Sequence, residues 1–202
     1  MGPKLKIDLD IAGVQWDNVH GWHDKDGVVL HETISPQYEG LKDLISNSEY
    51  LDNKDYGIHS LTDNEGHVAH AYGLGRAIFY HTASRGNLGD GQVNSRKIGI
   101  EQISDVPSKY KSKWERTKAW MHMQPELNAT GKLIACLSRA HGFRILDDDG
   151  DGEGVTTHYE VSKKYDVPGG HVDCHPIHLG GYYPKRQVIA LARRYKRLGW
   201  HF

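Results

Sequence analysis

The chain has 202 residues, a net charge of −1 and a pI near 6.9. That length suits one domain with a sizeable core. The even charge balance excludes the basic field of a nucleic-acid binder and the acidic tail of a solvating segment. Mean hydropathy is −0.64, and no apolar run approaches the ~20 residues that cross a bilayer. Neither nucleic acid nor stable membrane association is expected.

Residues 1–25 read as a polar N-terminal segment, with Trp16 and Trp22 packing it onto a domain that spans 26–202. The segment lacks the apolar stretch of a signal peptide, and Lys6 stands where a myristoylation motif wants Ser or Thr. The chain is therefore expected in the cytoplasm of the cell that makes it. Residues 28–30, Val-Val-Leu, predict a buried strand ending at His31. Ser35 and Pro36 open a helix, continued by Leu41, Leu44 and Ile45. Residues 58–61 and 67–70 flank a turn at 63–66 and predict a hairpin. Residues 77–80 read as a further short extended piece. Residues 82–97, rich in Gly, Ser, Asn and Asp, read as a long exposed loop, a common setting for function.

Residues 98–100 predict a second buried strand, ending at Glu101. Helices are expected over 109–123 and 126–141, broken at Pro125, with Gly142 capping the second. An acidic loop at 147–154 precedes a short strand, 155–157, ending at His158. Residues 184–198 close the chain as a basic helix whose apolar face is Val188, Ile189, Leu191 and Ala192. The mixture predicts a single α/β (α+β) domain, with a central mixed β-sheet flanked by helices.

The chain contains 14 His, far more than core packing calls for. Residues 155–176 concentrate His158, His171, Asp173, Cys174 and His175. Imidazole, carboxylate and thiolate are the groups that bind zinc, and Gly and Pro let the backbone turn sharply around them. A polar surface loop can have the same composition, and a satisfied core histidine is the commoner explanation for any single strand-end His. Three polar residues ending three apolar strands, His31, Glu101 and His158, shift the balance to a metal site at strand ends. There the sheet fixes ligands while the edge stays open to substrate. Cys136 sits in an apolar helical run, and no disulfide to Cys174 is expected in a reducing compartment.

The motifs VVLHET, IGIEQI, THYEV and GGHVDCHP, in that order, resemble the type 2 N-acetylmuramoyl-L-alanine amidases. That family includes phage endolysins, bacterial recycling amidases and peptidoglycan recognition proteins. The resemblance covers roughly residues 26–195. It implies a Zn2+ ion held by two His and one Asp or Cys, with His31 and His158 as the two imidazoles. Glu32 stands where the family has a second His. Three residues compete for the third ligand. Asp173 is favoured, because residues 170–173 overlay the Gly-His-x-Asp-Pro of similar actinobacterial phage enzymes. His175, directly before Pro176, and Cys174 are the alternatives.

The resemblance further implies that Glu101 works on the attacking water. His171 stands where many relatives carry a Lys that stabilises the oxyanion, and His81 is implied beside the substrate, with an ordinary surface histidine the equal alternative. The implied substrate is bacterial peptidoglycan, cut between N-acetylmuramic acid and L-alanine by a monomeric enzyme. A phage endolysin reaching the wall through a holin-type pore fits, as does a cytoplasmic recycling amidase. The competing readings are a non-catalytic peptidoglycan-binding module and a zinc peptidase acting on the stem peptide.

Two other features resolve to bland readings. Asp149, Asp151, Glu153 and Glu160 match EF-hand spacing, but residues 155–158 look extended where a helix is required. A solvated acidic loop is the default over a calcium site. The basic residues of 185–197 read as the outer face of the last helix.

Overall fold

The strands β1 (Leu9–Asp10), β2 (Gly27–Ile34), β3 (Ser60–Asp63), β4 (Val68–His70), β5 (Lys97–Ser104) and β6 (Gly154–Thr157) form one sheet, ordered β1-β4-β3-β5-β2-β6. This is a computed structural model that describes residues 2–34, 57–82, 91–104, 106–167 and 173–202. Only β3 and β4, the predicted hairpin, pair antiparallel; every other neighbouring pair is parallel. The helices are α1 (Ala12–Gln15), α2 (Gly91–Arg96), α3 (Val106–Lys109), α4 (Lys113–His122), α5 (Gln124–His141), α6 (His158–Lys164) and α7 (Lys185–Arg197). The helix predicted after Ser35 and residues 83–90 of the predicted loop lie outside the described residues.

Several boundaries differ from the sequence expectation for local reasons. The first 25 residues contribute β1, which pairs with β4, and Lys4 bridges to His201 near the C-terminus. Trp16 and Trp22 do not pack the segment down; both are more than half exposed. Residues 91–96 of the predicted loop are helical, and Lys97 already belongs to β5. The break between the two long helices falls at Met123, and Pro125 sits in the first turn of α5, where its missing N–H costs no helical bond. Gly142 ends α5 in the left-handed conformation, φ +80°, and its N–H bonds Ser138 O.

The central strands are buried on both faces, as parallel sheets covered on two sides are. Successive side chains alternate between those faces. Val28, Leu30, Ile98, Ile100 and Val155 point toward α5 and α7, where they meet Leu127, Leu133, Ile134, Val188 and Ile189. Val29, on the opposite face, packs against Val93 of α2 and Val161 of α6. Helices therefore cover both sides of β2, and the alternation decides which side each polar residue serves.

Glu126, in the first turn of α5, is fully buried, and neither carboxyl oxygen has a hydrogen-bond partner among the described residues. Burial first, then the nearby Glu32 and Asp63 charges, push its pKa well above the ordinary 4.5. The folded state thus holds a proton that the unfolded chain loses above about pH 4.5. Stability from this group is complete below that pH and declines as pH rises toward the folded pKa. The Glu126→Gln variant should gain on wild type in urea melts as pH is raised from 4 to 7, by up to ~1.4 kcal/mol per pH unit. A stability difference that does not change with pH would contradict a protonated Glu126.

Candidate metal centre

β2 and β5 run parallel with His31 opposite Glu101. Both strands continue three residues beyond the predicted ends, to Ile34 and Ser104. What ends here is β6: its last residue, Thr157, pairs with Leu30, and the chain turns at once into α6. His158 is the first residue of that helix rather than the last of the strand. Thr157 fixes the turn as N-cap: its hydroxyl accepts from Glu160 N–H, while the Glu160 carboxylate accepts from Thr157 N–H at 2.9 Å. This reciprocal capping box satisfies two end-of-helix donors and holds His158 against β2.

His31 Nδ1 lies 3.1 Å from His158 Nδ1. The Asp173 carboxylate stands 3.2 Å from His158 Nδ1 and 3.7 Å from His31 Nδ1. Zinc bonds of about 2.0–2.2 Å in a tetrahedron space the ligand atoms by roughly 3.3–3.6 Å. Two imidazoles and one carboxylate at these separations therefore match the donor set and size of a site that could hold a metal ion. The backbone N–H of Glu32 donates to Asp173 Oδ2 at 3.3 Å, tying the last loop to β2. Burial alone would raise the Asp173 carboxyl, but the His158 and His31 rings outweigh it and hold it well below the usual carboxylate range.

The three candidates for the third position separate cleanly. Cys174 is fully buried and directed to the opposite side, where its sulfur accepts from Gln102 Nε2 at 3.4 Å. Gln102 Oε1 in turn accepts from the Tyr183 hydroxyl at 2.7 Å. Burial raises the Cys174 thiol well above its ordinary range, so the sulfur is neutral there. His175 stacks on Tyr159 with ring centroids 3.9 Å apart, and its Nε2 donates to Leu179 O. Asp173 alone of the three faces both histidines.

Glu32 replaces the expected second His, and alternation explains its fate. It points away from His31, into the helix-side core, where its carboxylate accepts from Ser104 Oγ, Trp120 Nε1 and the Tyr182 hydroxyl at 2.7–3.1 Å. Glu101 and Thr33 share the His31 face, and the Thr33 hydroxyl donates to Glu101 Oε1. Burial pushes the Glu101 carboxyl up to about 8. The Thr33 hydrogen bond opposes this, and the Asp173 and Glu32 charges add to it.

His81 is also drawn to this place, but behind His31. Its Nδ1 lies 3.1 Å from His31 Nε2 and its Nε2 lies 3.3 Å from Lys97 O. The ring is buried with both nitrogens engaged by protein. His171 lies outside the described residues. The sequence reading missed Thr33, and the shared parity of Thr33 and His31 on one strand was the signal that could have found it.

The acidic loop is not an EF-hand: the strand β6 follows it where a helix is required. Asp148 accepts from Lys97 Nζ at 3.0 Å and from Gly152 N–H at 2.7 Å. Lys185 Nζ sits 2.7 Å from both Asp147 and Glu160. Two buried ammonium groups thus stand where a cation would compete.

The sequence profile of the N-acetylmuramoyl-L-alanine amidases matches residues 21–176. The chain belongs to the N-acetylmuramoyl-L-alanine amidase family. His31, Glu101, His158 and Asp173 all lie within the matched span. Solved structures of similar fold include the Staphylococcus aureus hydrolase AmiA in complex with its ligand, 15% identical, with TM-score 0.56, covering 96% of this chain and 95% of that one. The PlyG catalytic domain is 14% identical with TM-score 0.60, covering 96% and 95%. A mutant endolysin from Bacillus subtilis is 13% identical with TM-score 0.55, covering 95% and 99%. At such identities the likeness is one of fold. No curated protein matches the sequence.

If Asp173 completes the site, Asp173→Ala protein should lose bound zinc on dialysis, while Cys174→Ala and His175→Ala should retain it in metal analysis. Full zinc in the Asp173→Ala protein would refute the ligand choice.

Proposed function

We propose that this amidase-family chain is a zinc-dependent enzyme that cleaves the amide between N-acetylmuramic acid and the L-alanine of the peptidoglycan stem peptide. The observation that carries the reading is the convergence of His31, His158 and Asp173, with Nδ1 and carboxylate atoms 3.1–3.7 Å apart, beside Glu101 on the same sheet face. Three protein ligands leave the open position that catalytic zinc sites need.

Zinc bound there would bring the pKa of water toward ~7 and polarise the scissile carbonyl. The chain's own residues supply the proton traffic. The Glu101 carboxylate takes the proton of the attacking water and delivers it to the leaving amine. Burial raises the affinity of this carboxylate for the proton it takes. Thr33 orients the carboxylate by donating to Oε1. His171, two residues before Asp173, is assigned to the oxyanion that forms as the carbonyl is attacked.

We further propose that the chain acts in host lysis as a monomeric phage enzyme. In that reading the enzyme is made in the cytoplasm and reaches the wall through a holin-type pore.

Purified protein with zinc should release new amino-terminal alanine from isolated peptidoglycan. The Glu101→Gln variant should keep its zinc and lose activity by about 10²–10⁴-fold. Zinc-loaded wild type that generates no amino-terminal alanine would rule out the amidase assignment, and an active Glu101→Gln variant would rule out the base.

A further inference from the structure

The buried contact between His31 and His81 has a direction that hydrogen-bond chemistry fixes. Lys97 O can only accept, so His81 Nε2 must carry a hydrogen and donate to it across 3.3 Å. Among the described residues the ring's polar contacts are His31 and this carbonyl, with no carboxylate that would hold a second proton. A neutral imidazole with hydrogen on Nε2 has a lone pair on Nδ1. That lone pair faces His31 Nε2 at 3.1 Å, so His31 Nε2 is the donor. With Nε2 committed to His81, Nδ1 is the His31 nitrogen left to a metal, and it faces His158 Nδ1 and Asp173.

We propose that His81 is a positioning residue that sets the tautomer of His31, relaying the acceptor character of the Lys97 carbonyl so that His31 offers Nδ1 to the metal. The proposal rests on the reading of His31 as a metal ligand. It assigns His81 a role behind the site instead of one in the substrate cleft. Neutral ligating imidazoles are commonly oriented in this way through their second nitrogen, and here a second imidazole stands between the ligand and the backbone acceptor.

The surroundings hold His81 for that task. Its backbone N–H donates to Asn94 Oδ1 at 3.1 Å, and the same oxygen accepts from the backbone N–H and the hydroxyl of Thr82, each at 2.9 Å. On the other side, Gly99 of β5 leaves the room the ring occupies. A Cβ there would lie 2.8 Å from His81 Cγ and 2.5 Å from Ile58 Cδ1. The glycine two residues before Glu101 is thus required by the imidazole that supports His31. Asn94 and Lys97 come from the stretch read from sequence as an exposed loop.

The relay is tested first in metal-free wild-type protein. Long-range proton–nitrogen NMR on histidine-labelled protein, with His31 assigned by its loss in His31→Gln, should show His31 and His81 both protonated at Nε2, and His81 bare at Nδ1. A hydrogen on His81 Nδ1, or none on His31 Nε2, would overturn the proposal, whether or not zinc binds. The second arm measures zinc affinity by competition with a chromophoric chelator. His81→Phe fills the space without an acceptor and should weaken zinc by about 10–100-fold with little change in melting temperature. His81→Asn, which keeps an acceptor oxygen near the Nδ1 position, should recover most of that loss. A folded His81→Phe protein that binds zinc as tightly as wild type would also overturn it. Wild type that binds no zinc would instead refute the ligand assignment, leaving the tautomer measurement to judge the relay. Should His81→Phe fail to fold, the wild-type NMR measurement decides alone.

Discussion

The parallel register of β2 on β5 sets His31 opposite Glu101, and the alternation of side chains then sends both to one face of a sheet buried on two sides. The approach of His31, His158 and Asp173, which could hold a metal ion, depends on that pairing. A slip of one residue would carry His31 into the helix-side core and bring Glu32 to the site. The register is held by the apolar partners on either side, Val28, Leu30, Ile98 and Ile100, which fit only the face toward α5 and α7. The hydrophobic core thus aims the histidine, and β6 ends at the level where α6 can bring His158 beside it.

The same alternation explains the polar residues that do no chemistry. Glu32, Gln102, Ser104 and Cys174 share the helix-side face, where they bond one another's neighbours Trp120, Tyr182 and Tyr183. Buried polar groups at such positions must be satisfied or they cost stability. The network fixes the last loop from beneath, so that consecutive residues Asp173 and Cys174 face opposite sides. Cys174 adopts a positive φ of 51°, a conformation non-glycine residues seldom take. That local turn lies directly after the carboxylate that faces the two imidazoles.

Much of this was legible in the sequence. The short apolar runs before His31 and Glu101, the hairpin around residues 63–66 and the two long helices follow from periodicity and turn residues. The order of the motifs is what ties His31, Glu101, His158 and Asp173 to one family. Four things were not legible. Strand lengths were underestimated, because polar residues interrupt the apolar runs at Glu32 and Thr33 and at Glu101 and Gln102. Residues 91–97 looked like loop, since Gly, Asn and Ser rank low as helix formers, yet Val93 docks on Val29. The position of His81 behind His31 depends on a contact across 50 residues of sequence, which no local pattern encodes. The choice among Asp173, Cys174 and His175 likewise needed the pairing of both faces, because all three are chemically acceptable to zinc.

X-ray absorption at the zinc edge of the loaded protein tests the assembled site most directly, since it reads ligand type without reference to activity. The account predicts a shell of imidazole nitrogens and oxygens at about 2.0–2.2 Å and no sulfur. A zinc–sulfur distance of about 2.3 Å would place Cys174 on the metal and contradict the division of the sheet's two faces on which the account rests.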